Sequence, residues 1–178
     1  MIGCPVCRAG YREVLRGFFG PRRAELCPNC TARFDRNVFR ILDCKAEGCA
    51  KVAEGFPVIE GYLCEGCRVH FAALRVGLDA AGIRYQLDGK LVRVFDYYTK
   101  TVYEVKYPGL GAQDAIAGGG RYDNLIEEMG GPKAGAVGFG MGFERVVIAL
   151  EETAKLEASK VPGGRTPDFF VVVVSAEL

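Results

Sequence analysis

Long apolar runs are missing from this 178-residue chain, and their absence excludes whole classes of protein. The longest such run, FFVVVV from Phe169, is far shorter than the roughly 20 apolar residues that a helix needs to cross a membrane. The first residues, MIGCPVCRAG, lack the apolar segment of a signal peptide. The sequence therefore predicts a cytoplasmic protein with no membrane partner.

Histidine is also scarce, because His70 is the only one in a chain with eight cysteines. We interpret His70 as an ordinary helix residue between surface and core, since four cysteine pairs need no further metal ligand.

Net charge is small, at +1, but residues 1–45 carry nine arginines or lysines against four acids. A basic first quarter of this kind suits phosphate groups, although a solvated charged face explains it equally well.

The remaining composition is that of a globular protein, with 49% hydrophobic and 25% charged residues. All eight cysteines precede residue 68, and the glycine-rich motifs follow it. We therefore predict an α+β fold in two parts. Residues 1–85 form a cysteine-rich, mainly helical module, and residues 86–160 form a mostly antiparallel sheet flanked by helices. Residues 161–178 have the pattern of a linker and a new buried strand, which predicts a piece of a longer protein.

Hydrophobic periodicity and turn residues predict the individual elements. The predicted helices are Tyr11–Phe19, Arg68–Ala81 before Gly82, a helix from Asn124, and Phe143–Glu157; the predicted strands are a hairpin within Leu91–Tyr107, Ala112–Ala117 and Ala136–Met141. Asn124 and Glu127 have the spacing of a capping box, with Gly130 as the helix stop. Tyr103, Val105 and Tyr107 alternate with Glu104 and Lys106, as in a half-buried strand, so the tyrosine side is predicted to be the buried one.

The cysteines occur as four pairs at metal-binding spacing. The pairs are Cys4/Cys7, Cys27/Cys30 and Cys64/Cys67, each CxxC, and Cys44/Cys49, which is Cx4C. Two thiolates this close can hold one face of a tetrahedral zinc, and a second pair closes the site, so the set predicts up to two structural Cys4 zinc sites. Spacing does not say which pairs share a metal. Reduced buried thiols that behave as small hydrophobes are the alternative.

A second group of motifs is rich in glycine. GAVGFGMGFERVVIAL places Gly138, Gly140 and Gly142 at a period of two, so in a strand they leave a bare strip on which a flat ring such as adenine can lie. Arg145 falls in the first turn of the next helix, where a guanidinium and a helix N-terminus can both meet a phosphate. Close strand packing is the alternative explanation. The pattern is not GxGxxG, which argues against a Rossmann fold.

Two further segments place polar chemistry beside predicted strands. AIAGGGRYDNLIEEMGG contains Gly118–Gly120, interpreted as a turn that lets a small ligand approach the backbone beside Tyr122. An ordinary strand-to-helix loop is the alternative. LVRVFDYYTKTVYEVKY contains Arg93, Tyr97 and Tyr98 among strand-forming residues. Tyrosines that merely pack by their rings are the alternative there.

Taken in order, these motifs resemble those of histidyl-tRNA synthetases over essentially the whole chain. LVRVFDYYTKTVYE resembles the histidine signature LVRGLDYYT, GGGRYDNL resembles the second histidine signature, and GFGMGFER resembles the third class II motif. GCPVCRAGYREVL, CPNCTARFDRNVFRILDCK and YLCEGCRVHFAAL resemble an insertion module carried by some members. The resemblance implies the C-terminal half of a class II catalytic domain over 86–160 and the start of an anticodon-binding domain in 161–178. Counterparts of the first and second motifs are missing from the sequence, so an internal fragment is expected.

The resemblance also implies site residues and ligands. They are Arg93 as catalytic residue, Arg93, Tyr97, Tyr98 and Tyr122 for histidine, and Gly138, Gly140, Gly142 and Arg145 for ATP. Arg93 would contact the α-phosphate and the histidine carboxylate, Tyr122 would bond the imidazole, and Arg145 would hold the γ-phosphate. Mg²⁺ would accompany ATP, tRNA(His) would contact the basic module, and the full-length protein would be a homodimer. Val94 and Phe95 replace the Gly-Leu of the signature, which restricts the backbone beside Arg93.

Three functions are compatible with these observations. The first is ATP-dependent activation of histidine and its transfer to tRNA, with catalysis by positioning and electrostatics because no residue has to act as a nucleophile. The second is a catalytically silent relative, such as the regulatory subunit of ATP phosphoribosyltransferase. The third is a zinc-stapled RNA-binding module. Retention of Arg93, Tyr122 and Arg145 favours the enzyme, and the fragment alone is expected to be inactive.

Overall fold

A computed structural model describes residues 1–91, 97–111 and 113–156 of the chain. Its helices are α1 Pro5–Phe19, α2 Pro28–Arg36, α3 Glu47–Val52, α4 Glu65–Ala80, α5 Leu125–Glu128 and α6 Phe143–Leu156, with short 3₁₀ helices at Gly20–Glu25, Val38–Ile41, Ile59–Tyr62 and Pro108–Leu110. Its strands are β1 Thr99–Lys106, β2 Ala115–Tyr122 and β3 Ala136–Met141. The chain divides into two compact units, Met1–Val105 with Ala117–Gly140, and Lys106–Ile116 with Met141–Leu178 as far as it is described.

The first helices of the first unit enclose a hydrophobic core, as the cysteine-rich helical module predicts. Helix α1 buries Cys7, Tyr11, Leu15 and Phe19, four residues apart, so they form one stripe. The stripe packs against Leu26, Cys30, Val38, Ile41, Leu42, Cys49, Val52, Ala53, Ile59, Leu63 and Cys67. The helix begins at Pro5, six residues before the predicted start. Proline is favoured in the first turn of a helix, because a backbone N–H at that position would have no partner within the helix.

Helix α4 follows this core and leads towards the sheet. It was predicted at Arg68–Ala81 and is observed at Glu65–Ala80, and Gly82, with a φ of +67°, ends it as expected. All sixteen residues of α4 are described, and among them Cys67 is the one buried side chain. The helix therefore touches the module core mainly at its first turn.

The described strands form a three-stranded antiparallel sheet in the order β1–β2–β3. Strand β3 has the predicted bounds, but β2 runs from Ala115 to Tyr122 and not from Ala112 to Ala117. The interpretation of Gly118–Gly120 as a turn is therefore wrong, because these glycines lie in the central strand. A Cβ on Gly119 would overlap the carbonyl oxygen of Gly138, so the close strand approach requires glycine there.

Strand β1 shows a buried side opposite to the one predicted. Val102 is buried, whereas Tyr103 and Val105 are 41% and 45% exposed. Apolar residues stand on both sides of this strand, so alternation alone did not decide which side is covered. Residues 92–96 of the predicted hairpin lie outside the described residues.

The remaining helices agree with prediction in position more than in detail. Helix α5 is a single turn, and in this described segment the Asn124 side chain makes no capping hydrogen bond, so the predicted capping box is wrong. Gly130, with a φ of +86°, does end the turn.

Helix α6 begins at the predicted residue. Within the second unit, Oγ1 of Thr153 on this helix lies 3.0 Å from the hydroxyl oxygen of Tyr107. Among the described helices none is long and apolar enough to span a membrane. The predicted strand FFVVVV lies outside the described residues.

Candidate functional site

The structure assigns each cysteine pair a partner, which spacing could not do. The outer cluster is Cys4, Cys7, Cys64 and Cys67, and the inner cluster is Cys27, Cys30, Cys44 and Cys49. Within each cluster the four Sγ atoms all lie within 4.8 Å of one another. The inner pairs fall between the outer pairs in sequence, so the outer cluster joins the two ends of the module.

The sulfur geometry fits a tetrahedral metal. The Sγ atom of Cys4 lies 3.6 Å from that of Cys7 and 3.9 Å from that of Cys64, and the Sγ atoms of Cys27 and Cys44 lie 3.9 Å apart. A tetrahedron with Zn–S bonds of about 2.3 Å has edges of about 3.8 Å. The backbone N–H of Cys64 also donates to the Sγ of Cys7 at 3.1 Å, an interaction that favours a thiolate. The eight cysteines are not joined in disulfides.

Helix N-termini supply part of the electrostatics. Cys4, Cys27 and Cys64 are the N-cap residues of α1, α2 and α4, where backbone N–H groups face outward. Burial opposes ionisation of Cys4, but the backbone N–H of Cys7 and the neighbouring thiols lower its pKa to about 7. The backbone N–H of Cys30, with the adjacent thiols, likewise lowers the pKa of Cys27 to about 7. One thiolate per cluster is thus favoured by the protein itself.

The second cysteine of each pair has the opposite tendency. Burial, reinforced by neighbouring thiols, raises the pKa values of Cys7, Cys30 and Cys49, and raises that of Cys67 to about 12. Four thiols packed together therefore do not ionise together unless a cation compensates the charge. A bound dication supplies that charge and deprotonates its ligands.

Three tyrosines meet at the sheet and form what we call the tyrosine cup. The ring centroid of Tyr97 lies 4.7 Å from that of Tyr98 and 5.7 Å from that of Tyr122, and Tyr98 and Tyr122 are 6.1 Å apart. Tyr98 is buried and the other two are half-buried. The structure therefore brings together three of the residues that the sequence predicts for histidine. Arg93, the predicted catalytic residue, lies outside the described residues with Val94 and Phe95.

Two glycines make room for these rings. A Cβ on Gly120 would lie 2.8 Å from Cδ1 of Tyr98, and a Cβ on Gly138 would overlap the Tyr122 hydroxyl. Gly140 lies on the same side of β3 as Gly138, and the described atoms leave the space beside it open. Close packing therefore accounts for Gly138, while Gly140 leaves bare backbone accessible to a ligand.

A charged network that sequence reasoning missed adjoins the cup. Lys100 Nζ lies 3.0 Å from Oδ2 of Asp123, and Arg121 Nε donates to Oδ1 of Asp123 at 2.6 Å. Partial burial works against the Asp123 carboxylate, but these two cations lower its pKa below the usual value. Among described non-glycine residues, Lys100 alone has a positive φ, of 55°. No sequence pattern predicts that conformation in a lysine of a strand.

The second unit holds Arg145, on the first turn of α6. Its Nε donates to the carbonyl oxygen of Ala115 at 2.7 Å, and its Nη2 donates to that of Gln113. Beside it is an open cavity of about 290 Å³ lined by Gly109, Leu110, Arg145, Ile148 and Glu152. Gly142 also belongs to this unit, where its amide donates to the carbonyl oxygen of Ile116 at 3.0 Å. Two backbone carbonyls therefore fix the direction of the guanidinium.

The module carries its arginines in two settings. Guanidinium groups stack over rings in the pairs Arg8–Phe39 at 6.0 Å, Arg22–Phe18 at 4.4 Å and Arg23–Phe34 at 4.6 Å. Arg12, Arg36 and Lys45 are exposed. Arg23 is already paired, since its Nη1 and Nη2 donate to the carboxylate of Asp35, and Arg8 donates to the carbonyl oxygen of Tyr98. The exposed cations provide a general attraction for phosphates.

Known proteins resemble this chain in sequence and in structure. Residues 47–146 match the family described as histidyl-tRNA synthetase. A histidine–tRNA ligase of Caldanaerobacter subterraneus subsp. tengcongensis is 46% identical over 176 residues, which cover 99% of this chain and 41% of the relative. One of Symbiobacterium thermophilum is 52% identical over 151 residues, covering 85% and 35%. The crystal structure of apo S. aureus histidyl-tRNA synthetase is similar with a TM-score of 0.61 and 32% identity, covering 86% of this chain and 37% of that one. The chain thus spans about two fifths of the length of the curated relatives it matches.

Proposed function

The chain belongs to the histidyl-tRNA synthetase family, and on that premise we propose that it is part of a cytoplasmic histidine–tRNA ligase. In the first step a carboxylate oxygen of histidine attacks the α-phosphorus of ATP and pyrophosphate leaves. In the second step a terminal ribose hydroxyl of tRNA(His) attacks the carbonyl carbon and AMP leaves. The observation that supports the proposal is the tyrosine cup, in which rings from the two segments that resemble histidine signatures lie together.

The cup is the proposed histidine pocket. Tyr98 forms a buried wall, Tyr97 lies against it, and the hydroxyl of the half-buried Tyr122 occupies the space left by the missing side chain of Gly138. A phenol hydroxyl can bond an imidazole nitrogen as donor or as acceptor. A pocket that bonds a polar substrate group rejects analogues without it, because its own polar group would then lose its partner.

The catalytic role is proposed for Arg93. Its guanidinium would contact both the α-phosphate and the histidine carboxylate, and so hold the two reacting groups together. The N–H groups of a planar guanidinium can donate hydrogen bonds to two oxygens at once. Charge that develops on the α-phosphate during attack would be stabilised by a donor already in place.

ATP is proposed to bind with Mg²⁺ through residues of the third class II motif. The open backbone at Gly140 can accept a flat ring, and Gly138 and Gly142 belong to the same motif. Arg145 would hold the γ-phosphate; its Nε and Nη2 are engaged by backbone carbonyls, which aims the guanidinium. Mg²⁺ would neutralise phosphate charge while the arginines position the groups.

The module is proposed to have two roles. Its two four-cysteine clusters would hold structural zinc, supported by sulfur separations close to those of a tetrahedral site. Its exposed basic residues, among them Arg12, Arg36 and Lys45, would contact tRNA(His) through phosphates. A homodimer is proposed for the full-length protein, on the family resemblance alone.

Histidine-dependent exchange of pyrophosphate into ATP by the full-length protein tests this function. We expect Tyr122→Phe to lower kcat/KM for histidine. The transition state should lose about 1–3 kcal/mol of stabilisation, which is the cost of one lost hydrogen bond in a partly buried site. Tyr103→Phe removes a hydroxyl from an exposed tyrosine of the same sheet and is the matched control. The 178-residue chain alone should show no exchange, because the second class II motif is missing from its sequence. A full-length protein that binds histidine but exchanges no pyrophosphate would favour the regulatory relative.

A further inference from the structure

We infer that the outer cluster is a zinc site that fixes the start of β1 and the residues just before it, which include Tyr98 of the tyrosine cup, whereas the inner cluster holds the module itself together. The inference rests on the proposed function only in calling the cup a histidine pocket. It is carried by contacts that residues adjacent to the outer cysteines make with β1 and with the residues just before it. All of these residues belong to the first compact unit.

The first contact is a backbone bridge beside Cys4. Gly3 pairs with Lys100 in an isolated antiparallel bridge: the amide of Ile2 donates to the carbonyl oxygen of Lys100 at 2.8 Å, and the amide of Lys100 donates to that of Gly3 at 2.9 Å. Gly3 has a φ of +70°, and a Cβ there would lie 2.6 Å from Cβ of Cys7. The bridge is therefore packed directly against the outer cluster.

Two side chains extend the connection. Arg8, the residue after Cys7, donates from Nη1 to the carbonyl oxygen of Tyr98 at 3.5 Å. His70, three residues after Cys67 on α4, lies 2.8 Å, Nε2 to Oγ1, from Thr101. Both halves of the outer cluster thus reach residues 98–101, immediately after the first tyrosine of the cup.

The conformation of Lys100 indicates that these contacts impose the path of the strand. A lysine with a φ of 55° occupies a region that side chains rarely adopt, and such a residue persists only when its surroundings hold it. The bridge to Gly3 holds its backbone on one side, and Asp123 holds its side chain. Release of the outer cluster would free the first of these restraints.

The two clusters have different surroundings. In α4, described in full, Cys67 is the one buried side chain, so the outer cluster is the chief attachment of this helix to the module. Both clusters contribute two buried cysteines to the module core, but those of the inner cluster, Cys30 and Cys49, lie on α2 and α3, and the amide of Cys27 donates to the Sγ of Cys49 at 3.2 Å. Loss of the inner metal should therefore loosen α2 and α3, and loss of the outer metal should loosen β1.

Matched single substitutions in the whole protein test this division. Cys64→Ser and Cys44→Ser each remove one ligand, from the outer and the inner cluster respectively, at positions that are not fully buried. Elemental analysis should show two zinc ions per chain in the parent and one in each variant. Hydrogen exchange in peptides spanning residues 97–102 should become at least about tenfold faster in Cys64→Ser and stay close to the parent in Cys44→Ser, as expected for separate local openings. Peptides from α2 should show the reverse.

Two results would overturn the inference. Loss of one zinc in Cys64→Ser with unchanged exchange at residues 97–102 would show that the strand does not depend on the outer site. Equal acceleration of all module and strand peptides in both variants would show that the clusters do not act separately. Thr101→Val, which leaves all eight cysteines in place, should keep two zinc ions and accelerate exchange at 97–102 by a smaller factor. Pyrophosphate exchange by the parent reports on the proposed function independently, so the two proposals fail separately.

Discussion

The cysteine module and the glycine-rich sheet obtain their shape by opposite means. In the module, large side chains fill a core around α1 and sulfur atoms converge on two points. In the sheet, side chains are absent where strands and tyrosines must approach, at Gly119, Gly120 and Gly138. Metal-binding and core side chains recur at regular spacings that can be recognised in a sequence. Where backbones approach closely, the sequence shows only glycines, and their role depends on which strand or side chain packs against them. The module was accordingly the easier region to predict.

Metal removal should affect the module most and is the largest effect that we expect. Structural zinc sites in small domains contribute apparent binding free energies of about 10–16 kcal/mol at pH 7, so a chelator strong enough to remove both ions should unfold α1–α3. Far-ultraviolet circular dichroism would record the loss of helix, and elemental analysis the release of zinc. Chelator saturated with zinc beforehand is the control. Protein purified without chelator that contains no metal and exposes eight titratable thiols while folded would contradict the zinc assignment.

Arg93→Lys should have the next largest effect, and it tests the catalytic role proposed for Arg93. Lysine keeps the charge but loses the planar guanidinium with its paired N–H donors. The activation free energy of adenylate formation should therefore rise by about 2–4 kcal/mol, which slows the reaction roughly 30- to 1,000-fold, with much smaller changes in ATP or histidine binding. Single-turnover adenylate formation in the full-length protein measures this, with Tyr103→Phe as control. Equal, small losses in the two variants would favour the regulatory relative.

Alanine at individual glycines should separate packing from ligand binding within the sheet. Gly138→Ala would drive a methyl group into the Tyr122 hydroxyl and Gly120→Ala one into the Tyr98 ring, so each should reduce the free energy of unfolding by about 1–3 kcal/mol and weaken histidine binding. Gly140→Ala, on the same strand face as Gly138, meets open space and should leave stability nearly unchanged.

Denaturant unfolding and the KM values for histidine and ATP measure these three variants. If adenine lies on the backbone at Gly140, its alanine variant should raise KM for ATP without loss of stability. Destabilisation by Gly140→Ala equal to that by Gly138→Ala would mean that the strip is a packing feature throughout. A Gly138→Ala protein with normal stability and histidine use would contradict the packing role assigned to that position.

Sequence reasoning identified several residues that lie together in the structure, but not how the fold brings them together. Spacing predicted that the eight cysteines could hold a metal, but pairing Cys4/Cys7 with Cys64/Cys67 requires α1 and α4 to begin side by side, which depends on the tertiary structure. The bounds of β3 followed from its glycine period, and Gly82 and Gly130 were correctly identified as helix stops.

The errors share one cause. Gly118–Gly120 were interpreted as a turn because glycine is common in turns, yet their role is set by the strands on either side of β2. Tyr103 was placed on the buried side because Val102 offered an equally apolar alternative that only packing distinguishes. The positive φ of Lys100 depends on Gly3, almost a hundred residues away in sequence.

The smallest effect that we expect occurs where the two regions meet, at His70. Partial burial, with Arg121 and Lys100 nearby, lowers its pKa below 6.5, and Asp123 partly opposes this. The folded state therefore binds fewer protons than the unfolded state between the two pKa values, so this group's contribution to stability is present above pH 6.5 and is lost as pH falls through the folded pKa. Within the 178-residue chain His70 is the one histidine, so there its imidazole Hε1 proton is a single NMR resonance that can be titrated directly. Asp123→Asn should lower the pKa of His70 further by removing the opposing charge, whereas Asp79→Asn, an exposed acid on α4, should change it little. A pKa of His70 at or above 6.5 in the folded protein would mean that α4 does not rest against the Lys100 network, and the connection between module and sheet would then depend on the Gly3 bridge and Arg8 alone.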